Sequence, residues 1–278
     1  MGAATHTGIA LLVRRPPLRY HRPMLLAVDV GNTNVVLGVF RGKELLAHWR
    51  LSTSPSRTAD EFAILTLGLL GQAGISSREI DATAVASVVP PLQFALQEFT
   101  RRTFGKPALF VGPGTRTGMP ILYDNPREVG ADRIVDAVAA YDRWRTALVI
   151  VDLGTATTFD CVSAAGEYLG GAIAPGLHVS MDALFHHAAK LPRVELVRPD
   201  RAIGRNTIAS LQSGLLYGYA ALCDGLARRM IAEMGEPRPK VVATGGLAPL
   251  VAAESELIEE VDEMLTLEGL RILHERNP

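Results

Sequence analysis

Two short segments pair a carboxylate with glycine and small hydroxyl or amide residues. Asp29-Val30-Gly31-Asn32-Thr33 follows the apolar run Met24 to Val28, and Asp152-Leu153-Gly154-Thr155-Ala156 follows the apolar run Ala147 to Val151. Each reads as strand, acid, glycine, small polar residues, second strand. Such a loop brings a carboxylate and several backbone N–H groups to one point, which phosphates and their accompanying cations require. By itself Asn32-Thr33-Asn34 would serve as a tight turn between strands. A turn need not repeat both the acid and the glycine, so the second copy points to two related half-molecules facing one nucleotide. That copy runs on through Thr157-Thr158-Phe159-Asp160, adding hydroxyls and a second carboxylate.

A third cluster lies between the copies: Tyr123-Asp124-Asn125-Pro126-Arg127-Glu128-Val129-Gly130-Ala131-Asp132-Arg133. Gly130 and Asp132 fall where a loop becomes a helix, and a helix N-terminus gathers N–H donors that favour an anion. Two readings are open here. Asp132 is a helix-start acid and Arg133 a surface residue, or the pair forms a substrate site, with Arg133 for a carboxylate and Asp132 as base for a hydroxyl.

These segments must be positioned by alternating strands and helices. Leu25–Val30, Asn34–Phe40 and Glu44–Leu51 read as a meander with a turn at Arg41-Gly42-Lys43. Thr58-Ala59-Asp60-Glu61 carries the signature of a capping box before the run Phe62 to Leu70, which Gly71 and Gly74 end. Ala82–Val89 reads as a buried strand, Pro90 to Phe104 as a helix stopped by Gly105, and Ala108–Val111 as a strand. Gly112 to Glu128 is a long Gly- and Pro-rich loop, and length alone makes function plausible there. A helix is expected over Gly130 to Trp144. A second meander follows, in Ala147 to Val151, Thr157–Ser163 and Tyr168–Ala174. Helices are expected at Leu177–Ala188, Thr207–Met234, Leu247–Ala252 and Leu267–His274, with a strand at Lys240–Thr244. The helix from Thr207 is apolar on more than one side, which predicts burial between domains or a share in a dimer interface. A mixed sheet with helices on its faces fits each half. Neither G-x-G-x-x-G after a strand nor G-x-x-x-x-G-K-[ST] occurs, which disfavours the ordinary nucleotide-binding folds.

The bulk numbers set bounds. With 278 residues, 48% apolar and 21% charged, the chain can form two domains around real cores. A formal net charge of −1 offers no field for nucleic acid or an anionic membrane. Two cysteines, Cys161 and Cys223, give no disulfide framework and suit a cytoplasmic protein. Residues 1–23 contain Arg14, Arg15, Arg19 and Arg22, three prolines and no acid. They are read as an N-terminal extension, upstream sequence or a disordered tail rather than an organelle-targeting segment. The domains are expected at 24–145 and 146–278.

With its three clusters in this order, the chain resembles the type III pantothenate kinases. The Asp-x-Gly-Asn-Thr motif matches at Asp29 to Thr33, Tyr-x-Asn-Pro followed by Gly-Ala-Asp-Arg at Tyr123 to Arg133, and Asp-x-Gly-Thr-Ala-Thr-Thr at Asp152 to Thr158. Gly170 to Gly176, Gly204-Arg205-Asn206-Thr207, Gln212-Ser213-Gly214 and Thr244-Gly245-Gly246 are similar to later family segments. The resemblance implies an α/β fold of two duplicated ribonuclease-H-like, actin-like ATPase domains, each a mixed sheet flanked by helices. It implies ATP-dependent phosphorylation of pantothenate to 4′-phosphopantothenate, the first step of coenzyme A biosynthesis. Asp29, Val30, Gly31, Asn32, Thr33, Asn34, Val35 and Val36 would bind ATP phosphates, with Thr155 also touching ATP. Some members carry a lysine where Val36 stands, so phosphate neutralisation here would rest more on Mg²⁺. Tyr123, Gly130, Ala131, Asp132 and Arg133 would hold pantothenate, with Asp132 as proton acceptor. Asp152 would bind a monovalent cation, K⁺ or NH₄⁺. Thr207 would reach pantothenate in the neighbouring subunit of a homodimer with composite sites. The alternatives are a non-catalytic regulatory homologue acting in transcription and another actin-like phosphotransferase. The Tyr123 to Arg133 segment favours the pantothenate kinase.

Overall fold

The computed structural model describes residues 23–188 and 190–278. The expectation for residues 1–23 falls, Pro23 apart, outside them. Strands β1 (Met24–Val30), β2 (Asn34–Arg41) and β3 (Glu44–Ser52) form an antiparallel meander. Helix α1 (Ala59–Gln72), β4 (Ile80–Ser87), α2 (Gln93–Phe104) and β5 (Leu109–Phe110) follow. The sheet runs β3-β2-β1-β4-β5, with β4 parallel to both β1 and β5. After α3 (Ala131–Trp144) the pattern recurs as β6 (Leu148–Leu153), β7 (Ala156–Val162) and β8 (Tyr168–Pro175). Then come α4 (Leu177–His187), α5 (Thr207–Met234), β9 (Lys240–Thr244), α6 (Ala248–Ala252), β10 (Glu260–Val261) and α7 (Leu265–Arg276). Read from β8, the second sheet runs β8-β7-β6-β9-β10, with the same order and directions as the first. The duplication announced by the two loops extends to the whole topology.

Local chemistry sets several boundaries. The Thr58 side chain accepts from the Glu61 N–H while the Glu61 carboxylate accepts from the Thr58 N–H, closing the capping box of α1. Gly105 ends α2 at φ 70°, a conformation open to glycine at no steric cost. Asn206 caps α5 by accepting from the Ala209 N–H at 2.8 Å. The helix predicted from Pro90 begins instead as a 3₁₀ turn over Pro90–Leu92, because two prolines remove N–H donors. The last helix runs two residues beyond its expected span at each end, and β10 has no counterpart in the sequence reading.

Strand alternation divides the interior into layers. Along β1, Leu26, Val28 and Val30 pack with Phe62, Leu96 and Phe99 beneath α1 and α2, while Leu25 and Ala27 face α3 and α7. Along β6, Val149, Val151 and Leu153 pack with Leu216 and Val251 beneath α5 and α6, while Leu148 and Ile150 face α3 and α7. The layers are therefore helices, sheet, the α3–α7 pair, sheet, helices. Helix α5 lies on the outer face of the second sheet rather than between the halves; its broad apolar surface is covered by β6, α4 and α6. Helix α7 returns from the end of the chain to lie on β1, β2 and β4 as well as α3. The long loop is pinned to the second sheet, where Tyr168 N–H donates to Pro120 O and Leu122 N–H to Tyr168 O, each at 2.8 Å. No helix among the described residues is long and apolar enough to cross a membrane.

The α3–α7 contact is close enough to need glycine. A Cβ on Gly269 would overlap the carbonyl oxygen of Val135. Alanine would gain up to about 1 kcal/mol of helix propensity there. Overpacking against backbone that cannot rotate aside costs about 1–3 kcal/mol, and the second effect wins for so large an overlap. Gly269→Ala is expected to lower the urea midpoint of unfolding; an unchanged or raised midpoint would contradict this packing.

Candidate active site

Asp29 continues the inward row of Leu25 and Ala27, and Asp152 that of Leu148 and Ile150, so alternation aims both carboxylates between the sheets. Each stands near the C-terminal end of its strand, as ligand-binding positions in such sheets do. In both loops the glycine N–H closes the turn, the second being one residue tighter: Gly31 N–H donates to Asn34 O at 2.9 Å, and Gly154 N–H to Ala156 O at 3.1 Å. They meet through their hydroxyls, with Thr33 Oγ1 and Thr155 Oγ1 2.8 Å apart. A cleft of about 670 Å³ opens there, lined by both loops, Asp132, Thr158 and the turn Thr244-Gly245-Gly246. That volume is suited to a nucleotide-sized ligand. Gly245 sits at φ +91°, and a Cβ on it would lie 2.6 Å from Asp152 Oδ1. Only glycine lets this turn close over the carboxylate.

Helix α3 brings two more acids. Gly130 is its N-cap, and Asp132 lies in the first turn with Oδ1 accepting from the Arg133 N–H at 2.8 Å. Asp136 stands one turn further on the same face. It is 2% exposed and its Oδ1 has no hydrogen-bond partner. Burial, then the charges of Asp132 and Asp152, pushes the Asp29 carboxyl up to about 8. Burial, then Asp132 and Asp160, pushes Asp152 up to about 7. Asp136 is raised well above the usual carboxylate range, first by burial and then by Asp152, against a lowering hydrogen bond from Thr266. Asp132 is also raised by burial, partly offset by its hydrogen bond and proximity to Arg133. So much negative charge at one point fits a cation. Among the described residues no group of three or more His, Cys, Asp or Glu has the geometry to hold a metal alone. The fit is thus to an ion such as Mg²⁺, which binds through one or two carboxylates together with phosphate oxygens.

Arg133 is 7% exposed. Its Nε donates to Asp160 Oδ1 at 2.8 Å and its Nη2 to Phe159 O at 3.4 Å. Tyr168 Oη donates to the same Asp160 Oδ1 at 2.7 Å, and Thr158 Oγ1 to Oδ2 at 3.2 Å. Burial raises Asp160 to about 6 against the opposing pull of Arg133, Tyr168 and Thr158. Arg133 is thus a fixed, buried cation; its Nη1 makes no hydrogen bond among the described residues. The Tyr123 ring lies 6.4 Å from that of Tyr168, beside Gly170. Thr207 is elsewhere: it opens α5, exposed and outside the cleft lining.

Several residues in or behind the cleft were not foreseen. Asp136 could have been found from its spacing of four from Asp132, which places both on one helix face. Arg50, His178, Asp182 and Arg193 also line the cleft. Arg193 pairs with Asp182 at 3.2 Å and lies over the Phe185 ring. No local motif marks these four; tertiary placement alone brings them in.

A family model described as type III pantothenate kinase matches residues 25–229. A type III pantothenate kinase of Anaeromyxobacter sp. (strain K) is 61% identical over 254 residues, 91% of this chain and 100% of the relative. Another, of Myxococcus xanthus (strain DK1622), is also 61% identical, over 91% of this chain and 99% of its own. Among solved structures, a Baf family protein from Campylobacter jejuni aligns with TM-score 0.59 at 21% identity, covering 91% of this chain and 98% of that one. A ROK family glucokinase from Streptomyces griseus aligns with TM-score 0.51 at 12% identity, over 90% and 98%. These two structural likenesses are of fold alone.

The raised carboxylates fix how stability varies with pH. A group whose folded pKa lies above its unfolded value binds protons more tightly in the folded state, so its contribution is present at low pH and lost as pH rises through the folded pKa. For Asp152 and Asp29 that loss sets in above the ordinary value of 3.8 and is nearly complete by about 7 and about 8. The urea midpoint of the ligand-free protein is expected to fall between about pH 4 and about pH 8, and Asp136→Asn to stand above the unmodified protein at the alkaline end. A midpoint that is flat or rising over this range would refute the reading.

Proposed function

The chain belongs to the type III pantothenate kinase family, and from that membership we propose a division of labour among the cleft residues. It transfers a phosphoryl group from ATP to pantothenate, giving 4′-phosphopantothenate in coenzyme A biosynthesis. In our assignment the loop from Asp29 to Val36 and the hydroxyl of Thr155 receive the phosphates of ATP. Support comes from the contact between Thr33 and Thr155, which joins the two loops into one floor beside Asp132. Mg²⁺, held near Asp29, and a monovalent cation, K⁺ or NH₄⁺, at Asp152 would compensate phosphate charge when bound.

Pantothenate is assigned to Tyr123, Gly130, Ala131, Asp132 and Arg133. The Nη1 of Arg133 is left for the substrate carboxylate, with the guanidinium fixed by Asp160. Asp132 accepts the proton of the substrate hydroxyl. That oxygen bonds to the γ-phosphorus, the bond from phosphorus to the bridging oxygen breaks, and ADP leaves with the electron pair. Burial raises the Asp132 pKa and so makes its carboxylate a stronger base than a solvated one. Thr207 lies outside its own cleft, so we assign it to the cleft of a partner in a homodimer. Ile203 and Ile208, 84% and 53% exposed beside it, are the apolar surface such contact would cover.

The single observation carrying this reading is that the two loops and Asp132 converge on one cleft. Incubation with ATP, Mg²⁺ and pantothenate, with and without K⁺, is expected to yield 4′-phosphopantothenate; absence of product under both conditions would sink it. A general base contributes about 10²–10⁴-fold. Asp132→Asn is therefore expected to reduce turnover by at least about a hundredfold while ATP still binds. Turnover above a tenth of the unmodified rate would remove Asp132 from that role.

A further inference from the structure

The nucleotide cleft has a charge imbalance. Its lining includes five carboxylates but two arginines, Arg50 and Arg193, among the described residues. Arg193 is already paired with Asp182. The loop from Asp29 to Val36 contains no cation. Phosphates entering the cleft add negative charge beside Asp29 and Asp152, and backbone N–H groups supply only partial charges against it.

Arg50 stands where such a charge is wanted. In the first sheet Asp29 is the register partner of Val36, and Val36 that of Arg50. Cross-strand partners project from the same face, so Asp29, Val36 and Arg50 form one row across three strands, pointing inward. Adjacent strands lie about 4.8 Å apart, which sets Arg50 roughly 10 Å from Asp29 at the outer end of the row. Its guanidinium crosses toward the second sheet: Nη1 lies 3.0 Å from where a Cβ on Gly246 would be. The Gly245-Gly246 turn thus leaves room for Arg50 to lie over the cleft. Among the described residues no carboxylate pairs with it and no hydrogen bond engages it. An arginine with five donors, unpaired at the rim of an acidic cleft, is suited to bidentate contact with phosphate.

We propose that Arg50 binds the phosphates of the nucleotide, supplying from the third strand the full positive charge that the phosphate loop lacks. This deepens, and rests on, the assignment of the Asp29–Val36 loop to ATP phosphates. Arg50 is exposed at the end of its row, so replacing it leaves the core intact.

The test measures binding of ADP and of adenosine to the full chain by calorimetry, with steady-state kinetics in parallel. A charge-assisted pair of hydrogen bonds predicts that Arg50→Gln weakens ADP binding and raises the KM for ATP by about 10–100-fold. Adenosine affinity and the KM for pantothenate should stay within about twofold. Val36→Lys added to Arg50→Gln puts an ammonium on the same row, one strand nearer Asp29, and should restore ADP affinity. ADP affinity unchanged in Arg50→Gln, a loss that adenosine shares equally, or no restoration by the lysine would overturn the proposal. Thr33→Ala with Thr155→Ala separates the two levels. If that pair weakens ADP binding while Arg50→Gln does not, the loop assignment stands and Arg50 falls; if neither does, both fall.

Discussion

Three carboxylates, Asp29, Asp132 and Asp152, line a single cleft, a fourth, Asp136, is buried within reach of their charges, and this crowding in a poorly solvated place is the constraint around which the rest is built. Burial raises all four, and neighbouring acids add to the rise at Asp29, Asp136 and Asp152. The strands carrying Asp29 and Asp152 are central in their sheets, and the helix carrying the other two is clamped between those sheets. A fold selected for stability alone would not put an unpartnered Asp136 oxygen at its centre. Functional sites are where such rules are broken.

The layers make that concentration tolerable. Each sheet is buried on both faces, so β1 and β6 read as nearly continuous apolar runs that yield to an acid only near their ends. Helix α3 presents apolar residues such as Val135, Val138 and Ala139 to the central layer, with its N-terminus at the cleft. Helix α7 locks it in place through the Gly269 contact. The N–H groups at the start of α3 also set positive potential beside Asp132, in its first turn. Placing Asp132, the proposed base, at a helix start therefore serves both geometry and electrostatics.

Much of this could be read from the chain. The doubled loops, the Thr58 capping box, the glycine stops and the full span of α5 are local signals, written within a few residues of where they act. Asp136 was hidden because a buried acid in mid-helix has no motif of its own, only its spacing from Asp132. Arg50 was hidden for a different reason. Its relation to Asp29 is a matter of register across two strand pairs, and register is decided by the hairpin turns and by which face is buried. Burial of α5 between the halves, one of its two readings, does not occur, because all-round apolarity cannot say which sheet covers a helix. The return of α7 to the first sheet is a long-range contact between the two ends of the described chain, for which no local periodicity stands.

The same charges bear on when the base becomes available. With carboxyls near 7 and 8 at Asp152 and Asp29, a ligand-free cleft at neutral pH holds protons where a cation-filled one would hold metal. Any cation settling among these groups reverses the Coulomb contribution that raised them, so cation binding is coupled to proton release. Asp132 lies within that field. In the proposed mechanism Asp132, beside these cation positions, is the group that accepts the hydroxyl proton. With Asp132 assigned as the base, proton release on cation binding would tie the proposed reaction to an occupied nucleotide side.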